Sequence, residues 1–240
     1  VGRRFYEDCQ RVLSEAHGAI ETARQGHQGL RGTLRLTTTV EYGSRTVIPA
    51  LIAFAAAHPQ LQIQHSSSSS HEDLISGRYD LAIRMGSLND SSYRAALIEP
   101  YAIWPVASPA YLASLPARDI ASLPDLQRAR WLAHSRLASP LRWDVQTPDG
   151  PAAFAVQDDA AIHSDSASAL LGFALGGCGV ALLPQWLVEG DVRAGRLRRL
   201  LPDVVFPEQG VYAVYPNTQH IAEKVRAFID FLRAFVGTPA

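Results

Sequence analysis

Apolar runs that break off into hydroxyl- or guanidinium-bearing residues recur three times in the first third of the chain. Gly32-Thr33-Leu34-Arg35-Leu36 runs into Thr37-Thr38-Thr39, and Leu61-Gln62-Ile63-Gln64-His65 runs into the five serines Ser66 to Ser70. Tyr79-Asp80-Leu81-Ala82-Ile83 runs into Arg84-Met85-Gly86. Each reads as a short strand with a polar end. A helical stretch, Thr46 to Ala57, separates the first two, and a shorter one, Glu72 to Ser76, separates the second pair. Strands joined by helices of this length cannot form hairpins, so the pattern predicts a parallel sheet built from right-handed crossovers. Ligands of such sheets bind outside the carboxyl ends of the strands, where this chain carries its hydroxyls. A small-molecule site for a polar or anionic compound is expected there.

Upstream, Phe5, Cys9, Val12, Ala16, Ala19 and Ala23 alternate spacings of four and three, the seam of a heptad helix. Its small alanines and its polar flank (Glu7, Arg11, Glu15, Glu21, Arg24) favour a partner helix over packing on its own globule. Downstream, Asp73-Leu74-Ile75 with Gly77 beyond predicts a short helix. A long strand is expected over Ala95–Ala107, placed by Pro100 and Pro105 at a sheet edge or at a crossing between domains. A second segment, about Ser108 to Pro207, opens helices at Ser108-Pro109 and Ser122-Leu123-Pro124. Its strand candidates are Arg130–Ala133, Ala153–Val156, Ala161–His163 and Gly179–Pro184, with helices Ala167–Leu175 and Gln185–Gly190. At the tail, Gly210–Tyr215 reads as a strand and Ile221–Val236 as an amphipathic helix facing inward through Val225, Phe228, Ile229, Leu232 and Phe235. A strand and helix that follow a complete second unit can rejoin the first sheet. The expectation is therefore two lobes joined by two crossing segments, with a cleft between them, a hinged ligand trap.

Composition narrows the function classes. With 240 residues, 47% hydrophobic, the chain has enough length for sizeable cores. Its net charge of −1 lacks the basic footprint of a domain that grips nucleic acid by itself. Cys9 and Cys178 lie far apart in unlike settings, which fits a reducing cytoplasm better than a disulfide framework. There is no secretory h-region near Val1 and no apolar run approaching the ~18–20 residues that cross a bilayer.

The candidate binding residues follow the strand ends. Thr38 and Thr39 precede a helix start near Gly43-Ser44, where hydroxyls and backbone N–H groups suit a carboxylate; capping and turn formation would account for one threonine. Ser67 and Ser68 stand out of a serine run that is otherwise a flexible loop, with Ser70 as a cap. Arg84 can clamp a carboxylate or pair with a neighbouring acid. Asp165 and Ser166, with Ser168, open the apolar helix of the second lobe, as caps and as ligand contacts. No nucleophile elbow, P-loop or dinucleotide fingerprint is present, so no catalytic residue and no cofactor are expected. The eight histidines show no metal spacing, His65 and His71 included. Cys178 suits a small apolar position between helix and strand, with a redox thiol as the alternative.

These segments, taken in order, resemble the LysR-type transcriptional regulators. The resemblance lies in Gly2-Arg3-Arg4-Phe5-Tyr6-Glu7, Gly32–Leu36, the run Asp73–Gly86, Ala107-Ser108-Pro109-Ala110-Tyr111-Leu112, Gly177–Pro184 and Gly195-Arg196-Leu197, with Trp143 marking a subgroup. It implies an α/β fold of two Rossmann-like subdomains joined by two crossover segments, like a type 2 periplasmic binding protein, preceded by a long linker helix. The corresponding boundaries are 1–30 for the linker, 31–104 with 208–240 for subdomain I, and 105–207 for subdomain II. Effector contacts are implied at Thr38, Thr39, Ser67, Ser68, Asp165 and Ser166. The implied partners are a small-molecule effector and further copies of the chain, as homodimer or homotetramer, through the linker helix and subdomains. DNA would be reached only through a module of ~60 residues that this chain lacks; no membrane is involved and the location is cytoplasmic. Asp165 stands where much of the family has Asn and adds a negative charge. A free-standing solute-binding protein and a cytoplasmic enzyme using the same cleft are the alternatives.

Overall fold

The computed structural model describes residues 29–68, 79–86, 93–117, 119–217 and 221–237. The heptad seam, the Asp73–Gly77 helix, Ser69 and Ser70 lie outside the described residues. The chain divides into two units, changing from the first to the second at Pro100–Tyr101 and back at Gln209–Gly210.

The first unit holds β1 (Gly32–Thr38), β2 (Leu61–Ser67), β3 (Leu81–Met85), β4 (Tyr93–Tyr101) and β12 (Gln209–Pro216), with helices α1 (Ile48–Ala57) and α6 (Glu223–Gly237). Its sheet runs β2-β1-β3-β12-β4. β1 pairs in parallel with β2, from Gly32↔Leu61 to Thr38↔Ser67, and with β3, from Leu36↔Leu81 to Thr38↔Ile83. The sheet is mixed rather than wholly parallel, because β12 joins β3 antiparallel. That strand returns from the second unit and needs no crossover helix to fix its direction. One sheet face buries Leu34, Leu36, Leu81 and Ile83, while α1 supplies Leu51 and Phe54 and α6 supplies Val225, Phe228 and Leu232. The Phe54 ring meets Phe228 at 5.1 Å and Phe231 at 5.2 Å. Phe235, expected on the inward face, is 39% exposed. It lies in the last turn of α6 and stacks on Phe231, one turn back.

Helical backbone begins six residues before the expected Thr46. A turn at Val40–Tyr42 leads into a π-helical segment, Gly43–Val47, and then into α1. The wide π turn breaks the 3.6-residue period, so the pattern showed only its regular continuation.

The second unit comprises β5 (Ile103–Ala107), α2 (Pro109–Ser114), α3 (Leu123–Arg128), β6 (Trp131–His134), β7 (Arg142–Thr147), β8 (Gly150–Ala155), β9 (Ile162–Ser164), α4 (Ala167–Leu175), β10 (Val180–Pro184), α5 (Gln185–Arg193) and β11 (Arg198–Arg199). Its sheet runs β11-β5-β10-β6-β9. β6 pairs in parallel with both β9 and β10, and β5 joins β10 antiparallel. This repeats the scheme of the first unit, with β6, β9, β10 and β5 standing for β1, β2, β3 and β12.

The long strand expected over Ala95–Ala107 is interrupted at Ala102. Pro100 falls in the edge strand β4, and Pro105 lies just beyond the short β11, which covers only Val106 and Ala107. The hairpin β7–β8 was half-legible: its second strand was expected near Ala153–Val156, while Arg142–Thr147 was not recognised. Charged Arg142 and Asp144 on the outer face mask an inner alternation of Trp143 and Val145. That hairpin delivers Phe154 against Trp131 and Phe206, both at 5.5 Å between ring centres. The helix starts fall where expected, with the Ser108, Ser122 and Ser166 hydroxyls accepting from the N–H groups of Tyr111, Asp125 and Ala169. No helix among the described residues is long and apolar enough to cross a membrane.

Candidate functional site

In the first unit, β1 connects onward to β2 on one side, and β2 connects to β3 on the other side of β1. The chain thus reverses direction about β1, so the switch point where α/β sheets take ligands lies between the carboxyl ends of β1 and β3, with the end of β2 beside it. Register sets Thr38 beside Ser67, and the Ser68 N–H donates to the Thr38 carbonyl at 2.9 Å. Ser67 is exposed, whereas Ser68 and Thr39 are half-buried. The Thr39 hydroxyl reaches the Met85 sulfur at 3.7 Å. Thr38 is fully buried, its Oγ1 2.9 Å from His65 Nε2 and packed against the backbone of Gly43. Burial lowers the His65 pKa and favours the neutral ring.

Arg84 takes a different position. Successive residues of a strand face opposite ways, so Arg84 shares a face with Ala82 and Thr37 and not with Thr38. It is 2% exposed, donating from Nη2 to Thr37 Oγ1 at 3.3 Å and from Nη1 to the Ile83 carbonyl at 3.1 Å. The structure therefore gathers Thr38, Thr39, Ser67 and Ser68 at the strand ends and sets Arg84 behind them, on the far face.

Near the end of β1 lies a polar pair that sequence reasoning missed, a buried phenol with a half-buried acid. Tyr42, in the turn after Thr39, donates its phenol to Glu99 Oε1 at 2.5 Å. Burial and the Glu99 carboxylate raise the phenol far above its ordinary pKa, so it remains a donor. No local pattern links Tyr42 to Glu99; β4 brings the acid from the other edge of the sheet.

The second unit repeats the reversal about β6. Its strand ends carry His134, beside Ser164 in register, and the Ser135 N–H donates to the Ser164 carbonyl at 2.9 Å. Asp165 is exposed and accepts from Arg136 Nη2 at 3.1 Å, which holds its carboxyl below the usual range. Ser166 caps α4, its hydroxyl 3.2 Å from the Ala169 N–H. His134, Ser135 and Arg136 were not singled out from the sequence. The signal was present: Trp131-Leu132-Ala133 is another apolar run breaking into polar residues, as at the end of β1.

Two α/β units, each a parallel trio reversing about a central strand with an antiparallel fourth, and two passages of the chain between them, define a ligand-binding domain of the periplasmic-binding-protein type. Residues 27–237 match the LysR substrate binding domain family. Among curated relatives, the HTH-type transcriptional regulator PtxR of Pseudomonas aeruginosa is 33% identical over 236 residues, spanning 98% of this chain and 74% of its own length. The HTH-type transcriptional regulator DmlR of Escherichia coli is 30% identical over 236 residues, spanning 98% and 75%. Among solved structures, CrgA from Neisseria meningitidis superposes with a TM-score of 0.75 at 26% identity, covering 99% of this chain and 79% of that one. Full-length AphB, the virulence activator of Vibrio cholerae, gives 0.72 at 26% identity, covering 98% and 79%. The chain belongs to the LysR-type transcriptional regulators and forms their effector-binding portion.

Proposed function

We propose that this portion senses a small polar metabolite at the carboxyl ends of its parallel strands, through Thr39, Ser67 and Ser68 in the first unit and Asp165 and Ser166 in the second. Thr38 and Arg84 serve from behind, setting the backbone against which Thr39 and Ser67 are presented. The observation that carries the reading is the register Thr38↔Ser67, which assembles hydroxyls from two distant segments at strand ends beside the β1/β3 switch point of the sheet. A ligand with higher affinity for one conformation shifts the population toward it. In the complete regulator that shift alters how paired protomers present their DNA-reading domains to successive half-sites. The protein acts in the cytoplasm as a homodimer or homotetramer, assembled through residues 1–30 and the two units, and it is a sensor rather than an enzyme. Its strand ends offer neutral hydroxyls and an ion pair.

A thermal-shift screen of metabolites against the chain, followed by Thr39→Trp and Ser67→Trp, tests this reading. A hit should lose its melting shift in both variants while their ligand-free melting stays close to that of the parent. Undiminished shifts in both would remove the strand ends from the site. In the full-length regulator, a saturating hit that changed neither quaternary geometry nor operator footprint would refute the switching mechanism.

A further inference from the structure

In the first unit a polar contact ties the side chains at the ends of β1 and β2. Thr38 is fully buried, and its hydroxyl, packed on the backbone of Gly43, has His65 Nε2 at 2.9 Å as its partner. A buried hydroxyl proton needs an acceptor, so Nε2 receives it and the proton of the neutral ring sits on Nδ1. Were Nε2 the donor instead, the Thr38 proton would have no acceptor among the described residues. Register places Thr38 opposite Ser67, and the Ser68 N–H bonds the Thr38 carbonyl at 2.9 Å. The residue that fixes the His65 tautomer therefore also carries the end of β2. Arg35 of β1 lies on the opposite face by strand alternation. On the same face, α1 bears no titratable side chain before His58 at its C-terminal end. Glu41, Tyr42 and Arg45 belong to the helical segment that meets Thr38 through Gly43. None of these groups moves the ring, since burial is the one cause of the lowered His65 pKa.

We propose that Thr38 and His65 form a proton-sensitive latch at the strand ends: uptake of a proton by His65 releases the Thr38 hydroxyl and loosens the end of β2, from which Ser67 and Ser68 are presented. Its regulatory meaning rests on the strand ends being the effector site, while the latch itself does not. The proton comes from solvent and adds to Nε2, and the Thr38 hydrogen bond is the bond that breaks. An imidazolium carries hydrogen on both nitrogens and can only donate. The Thr38 oxygen can accept from it, but the hydroxyl hydrogen is then stranded in the core, which costs an unmade buried hydrogen bond. The half-buried ring avoids that cost by turning to solvent, where its charged form is hydrated. The end of β2 is then held by its backbone bonds alone. The sign follows from the lowered pKa: the closed strand end favours the neutral ring, so opening takes up a proton and acid favours the open form.

The test is ring-nitrogen NMR and amide hydrogen exchange on the 240-residue chain between about pH 7.5 and 5, repeated on His65→Gln and Thr38→Val. At the upper pH the His65 ring should be neutral with its proton on Nδ1. Opening takes up one proton, so the opening constant read at the Ser68 N–H, corrected for intrinsic exchange, should rise at least about threefold across the range and at most about tenfold per pH unit. His65→Gln keeps an acceptor for Thr38 and does not titrate, so its opening constant should stay flat. Thr38→Val keeps the shape and removes the hydroxyl, so it should raise opening already at the upper pH and weaken the pH dependence. A neutral ring with its proton on Nε2, or the same pH trend in the parent and His65→Gln, overturns the proposal. If exchange follows His65 while Thr39→Trp and Ser67→Trp leave every metabolite shift undiminished, the latch stands and the effector site is lost. The opposite pair of results keeps the effector site and removes the latch.

Discussion

Replacing Gly43 by alanine should destabilise this protein, against the usual sign for such a change in a helix. The Gly43 backbone, at φ −55° and ψ −54°, is ordinary right-handed helix. An alanine there would normally stabilise by about 0.5–1 kcal/mol, through the smaller entropy lost on folding. The glycine is required by space instead. A Cβ at this position would fall onto the Thr38 hydroxyl oxygen and lie 3.0 Å from Thr38 Cβ. Thr38 is fully buried and cannot swing into solvent. Overpacking of this kind costs about 1–3 kcal/mol, and turning the hydroxyl away from His65 adds the loss of a hydrogen bond, about 1 kcal/mol. The expected net loss is about 1–3 kcal/mol, and each kcal/mol lowers Tm by about 2–4 °C in a chain of this size. Thermal and urea denaturation of the parent, Gly43→Ala, Thr38→Ala and the double variant would measure it. Thr38→Ala removes the colliding oxygen, so Gly43→Ala should cost less than half as much in that background. The two changes should couple by about 1 kcal/mol or more. A rise in Tm for Gly43→Ala, or strict additivity in the cycle, would refute the account of how Thr38 is held.

Phe154→Ala should destabilise the second unit by about 3–5 kcal/mol, since a buried ring between Trp131 and Phe206 is lost and the rigid indole cannot collapse into the space; a urea midpoint within error of the parent would contradict this. His65 is expected to give an acid-sensitive contribution to stability. Its folded pKa lies below the unfolded value of 6.5, so the unfolded chain binds the extra proton first. Stability should be full above the unfolded pKa and fall as pH drops below it toward the folded pKa. A His65→Gln variant should show a flatter Tm-against-pH curve between about pH 7.5 and 5, and parallel curves for parent and variant would exclude the effect.

The polar strand ends show which parts of the candidate site local pattern could reach. Thr38, Thr39, Ser67 and Ser68 were legible because an apolar run that turns polar marks a strand leaving the core. The same transition after Trp131-Leu132-Ala133 pointed to Arg136 and was overlooked, because that run is shorter and its polar residues are followed by more loop. Tyr42 and Glu99 carried no such mark. Tyr42 sits in a segment whose π turn disrupts the helical period, and Glu99 lies in a strand whose pairing is non-local.

Element type and order along most of the chain were determined by the sequence alone. Apolar periodicity, serine caps and glycine stops act over a few residues and need no partner to be read. The returning β12 was inferred in the same way, as a strand and helix left over after a complete unit. Which residues are brought together at the candidate site was decided by tertiary structure. Strand register sets Thr38 beside Ser67, pleat alternation turns Arg84 onto the opposite face, and the meeting of two loops couples Arg136 to Asp165. Register and facing depend on the packing of whole sheets, where a shift of one residue exchanges the two faces, and no single segment contains that information.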